Sequence, residues 1–320
     1  MRDSIVFALL VLGFSASITA RADAFLYANG VFTTINVPGA VPGTVGASGI
    51  NDAGQIVGSY RDSSGPHGFL DTDGVFTSIN VPVSVGFTPF AGGINNAGQI
   101  VGQFIAGSQN YGFLESNGTF TTINAPGSVS TVALGINNPG QVIGQFTDSA
   151  SQPHDFVYNS VTGVYTTINV SASFSGGLGI NDADQIVGNL NGSTGFLDTN
   201  GVFTTIVAPG NPAFTLLDGI NNAGQIVGAF GNDILSLRGF VDIGGVFTTI
   251  DVPGSASTSA NGINNHGEIV GTFTPAPEPA SALLLVLPLI GGAVALWLRH
   301  RRSIKLSYLS VHLRNGMCCK

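Results

Sequence analysis

The chain has 320 residues, 43% of them hydrophobic and only 9% charged, with 46 Gly, 15 Pro, 2 Cys and a formal charge of -8. It is too apolar for a disordered tail and long enough for a sizeable folded unit, and glycine at about twice its usual share of ~7% points to a turn-rich β protein. Between Phe25 and Phe273, fifteen Asp and Glu face only two basic residues, Arg61 and Arg238, a balance of -13 that excludes nucleic acid as a partner. No lysine lies in that stretch, so P-loop, Schiff-base and kinase-type chemistry are excluded as well.

Residues 1–24 read as an export signal. Arg2 gives the basic start, Ile5 to Phe14 the apolar run, and Ala22-Asp23-Ala24 an A-x-A cleavage site for signal peptidase, which sets the expected mature start at Phe25. The apolar run is well short of the ~20 residues a bilayer span needs. Cys318 and Cys319 lie at the far end, so the exported region has no disulfide framework and must be held by packing.

Residues 25–274 are organised by repetition. The pattern F-L-x-x-x-G-x-F-T-T-I-N-V-P, a variable stretch, and G-I-N-N-A-G-Q-I-V-G-x-F begins at Phe25 and again at Phe69, Phe113, Phe156, Phe196 and Phe240, with spacings of 44, 44, 43, 40 and 44. Each copy has four short β runs, which in one copy are Phe69-Leu70, Val75 to Val81, Gly93-Ile94-Asn95 and Gln99 to Phe104. Two of the connections are tight and rich in Asn, Asp and Gly, such as Asp71-Thr72-Asp73-Gly74 and Asn51-Asp52-Ala53-Gly54. The other two vary, as Val83 to Ala91, Val170 to Leu178, Ile105 to Tyr111 and Asn189 to Thr194 do. Alternate connections of a meander emerge on one edge, so one face carries near-identical turns and the other the variable loops.

Four strands per ~40–50 residues predicts an all-β, six-bladed β-propeller with the G-I-N run nearest the axis. One blade is split: Phe25 to Pro38 supplies its outer strands and Gly262 to Phe273 its inner ones. The competing architecture is a β-solenoid with two coils per repeat, which would need capping ends.

Residues 275–302 differ in kind. Thr274 to Pro279 is proline-rich, Ala280 to Leu298 is nineteen residues without a charge, and Arg299, Arg301 and Arg302 follow. At ~1.5 Å per residue the uncharged run spans about 28 Å, as a transmembrane helix would, and the basic cluster orients the repeats outside the cytoplasm. Pro277-Glu278-Pro279 before such a helix and an arginine-rich end resembles the PEP-CTERM sorting signal of Gram-negative bacteria. That resemblance implies recognition by an exosortase-type protease, transient anchoring in the inner membrane through 280–298, removal of the helix, and delivery to the cell surface or extracellular matrix. The chain departs from that pattern in continuing through an atypical cytoplasmic tail, residues 303–320. The repeats resemble HAF-type extracellular repeats, with His67-Gly68-Phe69 and His154-Asp155-Phe156 at the position that names them. This resemblance implies an extracellular repeat protein and no activity.

Chemistry-bearing residues are sparse. His67, His154 and His266 fall in different repeats with different neighbours and read as surface or loop histidines. The carboxylate pairs Asp71 with Asp73 and Asp182 with Asp184 stand where Asn or Gly replaces them in other copies, so turn chemistry accounts for them. Calcium would suit the oxygen-rich turns, but no EF-hand spacing occurs. No catalytic, cofactor-binding or metal-ligating residue is assigned; the site residues are those of processing (Ala22, Ala24, Pro277, Glu278, Pro279) and topology (Arg299, Arg301, Arg302). Arg61, Asp62, Asp148, Asp155, Asp218 and Asp233 are the charged groups expected on the loop side. The expectation is an exported, non-enzymatic surface or matrix protein binding exopolysaccharide or protein through its variable loops. The alternative is a secreted propeller enzyme acting on polysaccharide, which would gather two carboxylates in one pocket.

Overall fold

The recurrent V-F-T-T-I run is β-branched at nearly every position, and the turns flanking it offer Asn, Asp or Gly where positive φ is needed. At the Asn29-Gly30 turn both residues take it, with φ of 52° and 80°. The structure, a computed structural model, describes residues 23–82, 89–168 and 175–277, and among them every helix or strand element is a strand.

The chain opens with β1 (Asp23–Ala28) and β2 (Val31–Ile35). A four-stranded antiparallel meander follows: β3 (Gly46–Ile50), β4 (Ile56–Asp62), β5 (Gly65–Thr72) and β6 (Val75–Ile79). The next comprises β7 (Phe90–Ile94), β8 (Ile100–Ala106), β9 (Gln109–Ser116) and β10 (Thr119–Ile123). After it come β11 (Ser128–Ile136), β12 (Gln141–Asp148), β13 (Pro153–Asn159) and β14 (Val164–Ile168). Then β15 (Ser175–Ile180), β16 (Gln185–Leu190), β17 (Thr194–Thr199) and β18 (Val202–Ile206) join β19 (Phe214–Ile220), β20 (Ile226–Gly231), β21 (Arg238–Ile243) and β22 (Val246–Ile250) through a single parallel pair, Thr194 with Thr215. Finally β23 (Ser255–Ile263) and β24 (Ile269–Pro275) pair with the start of the chain in the order β2-β1-β24-β23, so the two ends share one sheet as the split copy predicts. Antiparallel meanders of this kind exclude the parallel coils of a solenoid.

Packing repeats with the sequence. Phe25, Phe69, Phe113, Phe156, Phe196 and Phe240 are among the largest fully buried side chains. Each phenylalanine lies opposite the glycine of the I-V-G run: Phe69 pairs with Gly58 across β4 and β5, and a Cβ on Gly58 would come within 2.9 Å of the Phe69 ring and collide with the Gly46 carbonyl. The innermost strands meet edge to edge through glycine, since a Cβ on Gly49 would sit 3.2 Å from the Gly93 backbone.

The strands at the chain ends run slightly past the expected bounds of 25–274: Asp23 and Ala24 belong to β1, and Pro275 of β24 pairs with Ser255. The variable connection Ile105 to Tyr111 forms a hairpin, with Ala106 paired to Gln109 and Phe104 stacked on Tyr111 at 5.6 Å, so most of it belongs to the ladder. Asn189 to Thr194 is shortened in the same way by the pairing of Leu190 with Thr194. The segment 280–298 expected to cross the membrane, Glu278, Pro279, the arginines at 299, 301 and 302, and Ala22 lie outside the described residues. Among the described residues no helix is long and apolar enough to cross a membrane.

Candidate functional site

The axis of the molecule has two unlike mouths, and the G-I-N motif builds both. At the tight-turn end, Asn51 Oδ1 accepts the backbone N–H groups of Ala53 and Gln55 at 3.1 and 3.0 Å. Its amide donates to Gln55 Oε1 at 2.8 Å and to the Asn95 carbonyl at 3.1 Å in the neighbouring sheet. The same bond passes from Asn95 to Asn137, to Asn181, to Asn221, to Asn264 and back to Asn51, a closed circuit of buried amides. Asn is required here because it alone accepts twice and donates twice from one short side chain. Outside that circuit stand Asp52, Asn96, Asn138, Asp182, Asn222 and Asn265. Asp52 Oδ2 takes the amides of Asn96 at 2.6 Å and Asn265 at 2.8 Å, and Asp182 Oδ2 takes those of Asn138 and Asn222 at 2.8 and 2.7 Å.

At the opposite end each innermost strand carries a β-bulge just before the G-I-N glycine. In β19 the register skips Asp218 between Leu217 and Gly219, and the other strands skip Ser48, Gly92, Leu134, Leu178 and Asn261. A bulge re-aims a side chain, and these six residues line an open axial bowl of about 90 Å³. Its walls are uneven, with Asp218, Asn261 and Ser48 on consecutive sheets and Leu134 and Leu178 across from them. Burial pushes the Asp218 carboxyl up to about 7, opposed by the Ser259 hydroxyl at 3.4 Å. Asp218 is the only carboxylate among the bowl's lining residues.

A larger groove, about 290 Å³, opens between the β3–β6 and β7–β10 sheets on the face of the variable loops. Tyr60 and Arg61 at the outer end of β4 form one wall; Phe90, Gln103 and Ile105 form the other. Thr44 fixes the Arg61 backbone, donating to its carbonyl and accepting its N–H at 3.2 Å each. Phe90 is 47% exposed although its strand is innermost. The positions equivalent to Arg61 hold Ile105, Thr147, Asn191, Gly231 and Thr274, and those equivalent to Phe90 hold Gly46, Val132, Gly176, Leu216 and Ser259. Two departures from the repeat, distant in sequence, therefore meet in one groove.

This geometry has counterparts among known proteins at the level of the fold. No protein-family model and no curated protein matches the sequence. The solved structure of a putative TolB from Agrobacterium tumefaciens is similar, with a TM-score of 0.56 at 13% identity over 80% of this chain and 99% of that one. TolB from Acinetobacter baumannii gives 0.51 at 12% identity over 80% of this chain and 64% of that one. The architecture is that of a β-propeller. A fungal lectin from Aleuria aurantia, described as a six-bladed β-propeller with a novel fucose recognition mode, gives 0.44 at 15% identity over 69% and 83% of the two chains, too low to bear on this chain's ligand.

The remaining loop-side groups are used locally. His67 Nε2 lies 3.0 Å from Asp62 Oδ1 and its ring lies 5.2 Å from that of Tyr60, while His154 lies 3.1 Å from Asp148 Oδ2 and stacks on Phe146 at 4.8 Å. The Ser64 hydroxyl and backbone N–H, with His67, hold the Asp62 carboxyl down to about 2. The backbone N–H of Gln152, then His154, lowers that of Asp148. The HAF-position histidine is thus the cross-strand partner of the β4 or β12 aromatic, a pairing that spacing within one strand does not reveal. Asp155 is buried on β13 with Gln145 Nε2 at 3.0 Å, and Asp233 Oδ1 accepts the Leu235 N–H. Asp71 Oδ1 accepts the Gly74 N–H at 2.8 Å, and Asp73 and Asp184 adopt positive φ, which is turn chemistry. Among the described residues no three His, Cys, Asp or Glu are grouped to hold a metal ion.

Proposed function

We propose that this chain is an exported, non-enzymatic surface or matrix protein of a Gram-negative bacterium, a six-bladed propeller with HAF-type repeats that binds exopolysaccharide through its variable face. The observation that carries the reading is the contrast between the two ends. The tight-turn mouth repeats one hydrogen-bond circuit, whereas the residues that break the repeat, Arg61, Phe90 and the bulge residues, gather at the other end. The count of six blades is supported by the six asparagines of the closed circuit. The enzyme alternative would look to Asp218 in the axial bowl, but a single lining carboxylate falls short of the pair that glycoside hydrolysis uses.

Signal peptidase, an exosortase-type protease and transient inner-membrane anchoring complete the proposal, through the sorting signal at 275–302. Because Ala24 is fully buried and Asp23 Oδ1 accepts the Gly43 N–H at 3.1 Å, cleavage after Ala22 suits β1 better than cleavage after Ala24, and Ala20-Arg21-Ala22 offers the same A-x-A pattern. The test is retention of the mature protein on exopolysaccharide purified from its own host. Retention that survives washing and is competed by soluble polymer is the expected result; elution with an inert protein of equal charge would sink the proposal.

A further inference from the structure

The composition of the groove between the β3–β6 and β7–β10 sheets narrows the ligand class within the polysaccharide-binding reading, on which this inference rests. We infer that the groove takes a neutral pyranose unit, with vicinal hydroxyls on the Arg61 guanidinium and a ring face against Phe90 and Tyr60. At about 290 Å³ it is near the lower limit of small-molecule sites, as suits one or two sugar rings rather than a protein segment.

Three features give the class. First, the apolar surface is aromatic and exposed: Phe90 occupies a position where no other copy carries an aromatic, and a pyranose presents a flat C–H face to such a ring. Second, the polar side chains that line it, Thr44, Ser59, Tyr60 and Gln103, are neutral apart from one cation; the Thr44 and Tyr60 hydroxyls are bonded within the protein, which leaves Ser59 and Gln103 to meet a sugar. Third, among the described residues Arg61 has no ion-pair partner. Arg238 is held by Asp251 at 2.8 Å, while Asp62, next to Arg61, is turned to Ser64, Gly65 and His67. A guanidinium fork with no carboxylate to satisfy it presents parallel N–H donors that match two adjacent hydroxyl oxygens.

Arg61 would also accept a uronate or sulfate, and the charge of the whole molecule decides against that. A balance of -13 between Phe25 and Phe273 sets up a net field that opposes a polyanion, so an acidic polymer would have to pair with Arg61 against that field. A neutral chain meets no such opposition.

The test is calorimetric titration of the mature protein with neutral hexaoses (cello-, manno- and galacto-series) and with oligouronates and a sulfated hexaose of the same length, at physiological ionic strength. Arg61→Ala, Arg61→Lys and Phe90→Ala are titrated alongside; both residues are solvent-exposed, and an unchanged circular-dichroism melt identifies variants that keep the fold. At least one neutral hexaose is expected to bind tenfold or more tightly than every anionic ligand, with tenfold or greater losses in Phe90→Ala and Arg61→Ala. Arg61→Lys is expected to lose most of the affinity too, because an ammonium is not a fork. Anionic ligands binding as well as neutral ones, or folded variants keeping wild-type affinity, would overturn the inference and leave the polysaccharide reading standing. Binding to none of the glycans, together with no retention on the host polymer, would overturn both.

Discussion

Asparagine at the third position of G-I-N carries more structure than its size implies. It closes its own turn through two accepted N–H bonds and ties that turn to the next sheet through its amide, so the motif is both a local and a long-range instruction. The residue after it follows a second rule. Each asparagine of the outer circuit spends its oxygen on the neighbouring backbone N–H, as Asn96 does for Asp52 and Asn138 for Asn96, which leaves its amide needing an acceptor. With Asp52 and Asp182 three places apart in a circuit of six, every asparagine has one carboxylate beside it. In Asp52→Asn the amides of Asn96 and Asn265 lose that acceptor, and a loss of about 1 kcal/mol is expected at this half-exposed site, read as a lower urea midpoint at neutral pH. Burial alone would raise the Asp52 carboxyl, but the Asn265 side chain and backbone and the Asn96 amide outweigh it and hold it below 3.8. A depressed carboxyl stabilises above its unfolded value and loses that contribution as pH falls through its folded one, so the gap between wild type and variant should narrow on acidification below 3.8. Equal midpoints at neutral pH would refute this role.

Strands and turns were largely legible in the amino-acid pattern, and the reasons for the misses are specific. The V-F-T-T-I run (V-F-T-S-I in β6) and the turns that end in Asn-Gly or Asp-Gly announce β2, β6 and β18 through local propensity alone. The hairpins closing β4 on β5 and β8 on β9 did not announce themselves, because the stack of Phe104 on Tyr111 and the His67 contact with Tyr60 are cross-strand events. The bulges were hidden for a similar reason: residues such as Asp218 read as strand or loop until the register with the next strand shows that they have no partner. The same logic moves the start of the mature chain. Ala24 pairs with both Ile35 and Thr272, so β1 needs its first two residues to join β2 to β24. Mass spectrometry of the mature protein from its host should give a start at Asp23 and an end near Glu278. A start at Phe25 would contradict the account of β1, and a molecule reaching Lys320 would contradict processing at the sorting signal.

At the scale of the molecule, closure comes from the shared sheet β2-β1-β24-β23, which lets the asparagine circuit return from Asn264 to Asn51 across 213 residues of chain. A ring closed in this way leaves its tight-turn end committed to folding and its other end open to variation. The groove could not be read from the sequence, since Arg61 and Phe90 belong to different copies and become neighbours only when β4 and β7 lie side by side. What remained legible was the direction: the near absence of basic residues from the repeats and the face on which variable connections emerge. The most direct measurement is a crystal structure of the mature protein with a bound oligosaccharide from its host's exopolysaccharide. The expected density is a sugar ring against Phe90 and Tyr60 with Arg61 at its hydroxyls, on a ring of sheets closed by β1 and β24. Sugar seated on the Asp52–Asp182 mouth, or sheets that fail to close, would contradict it.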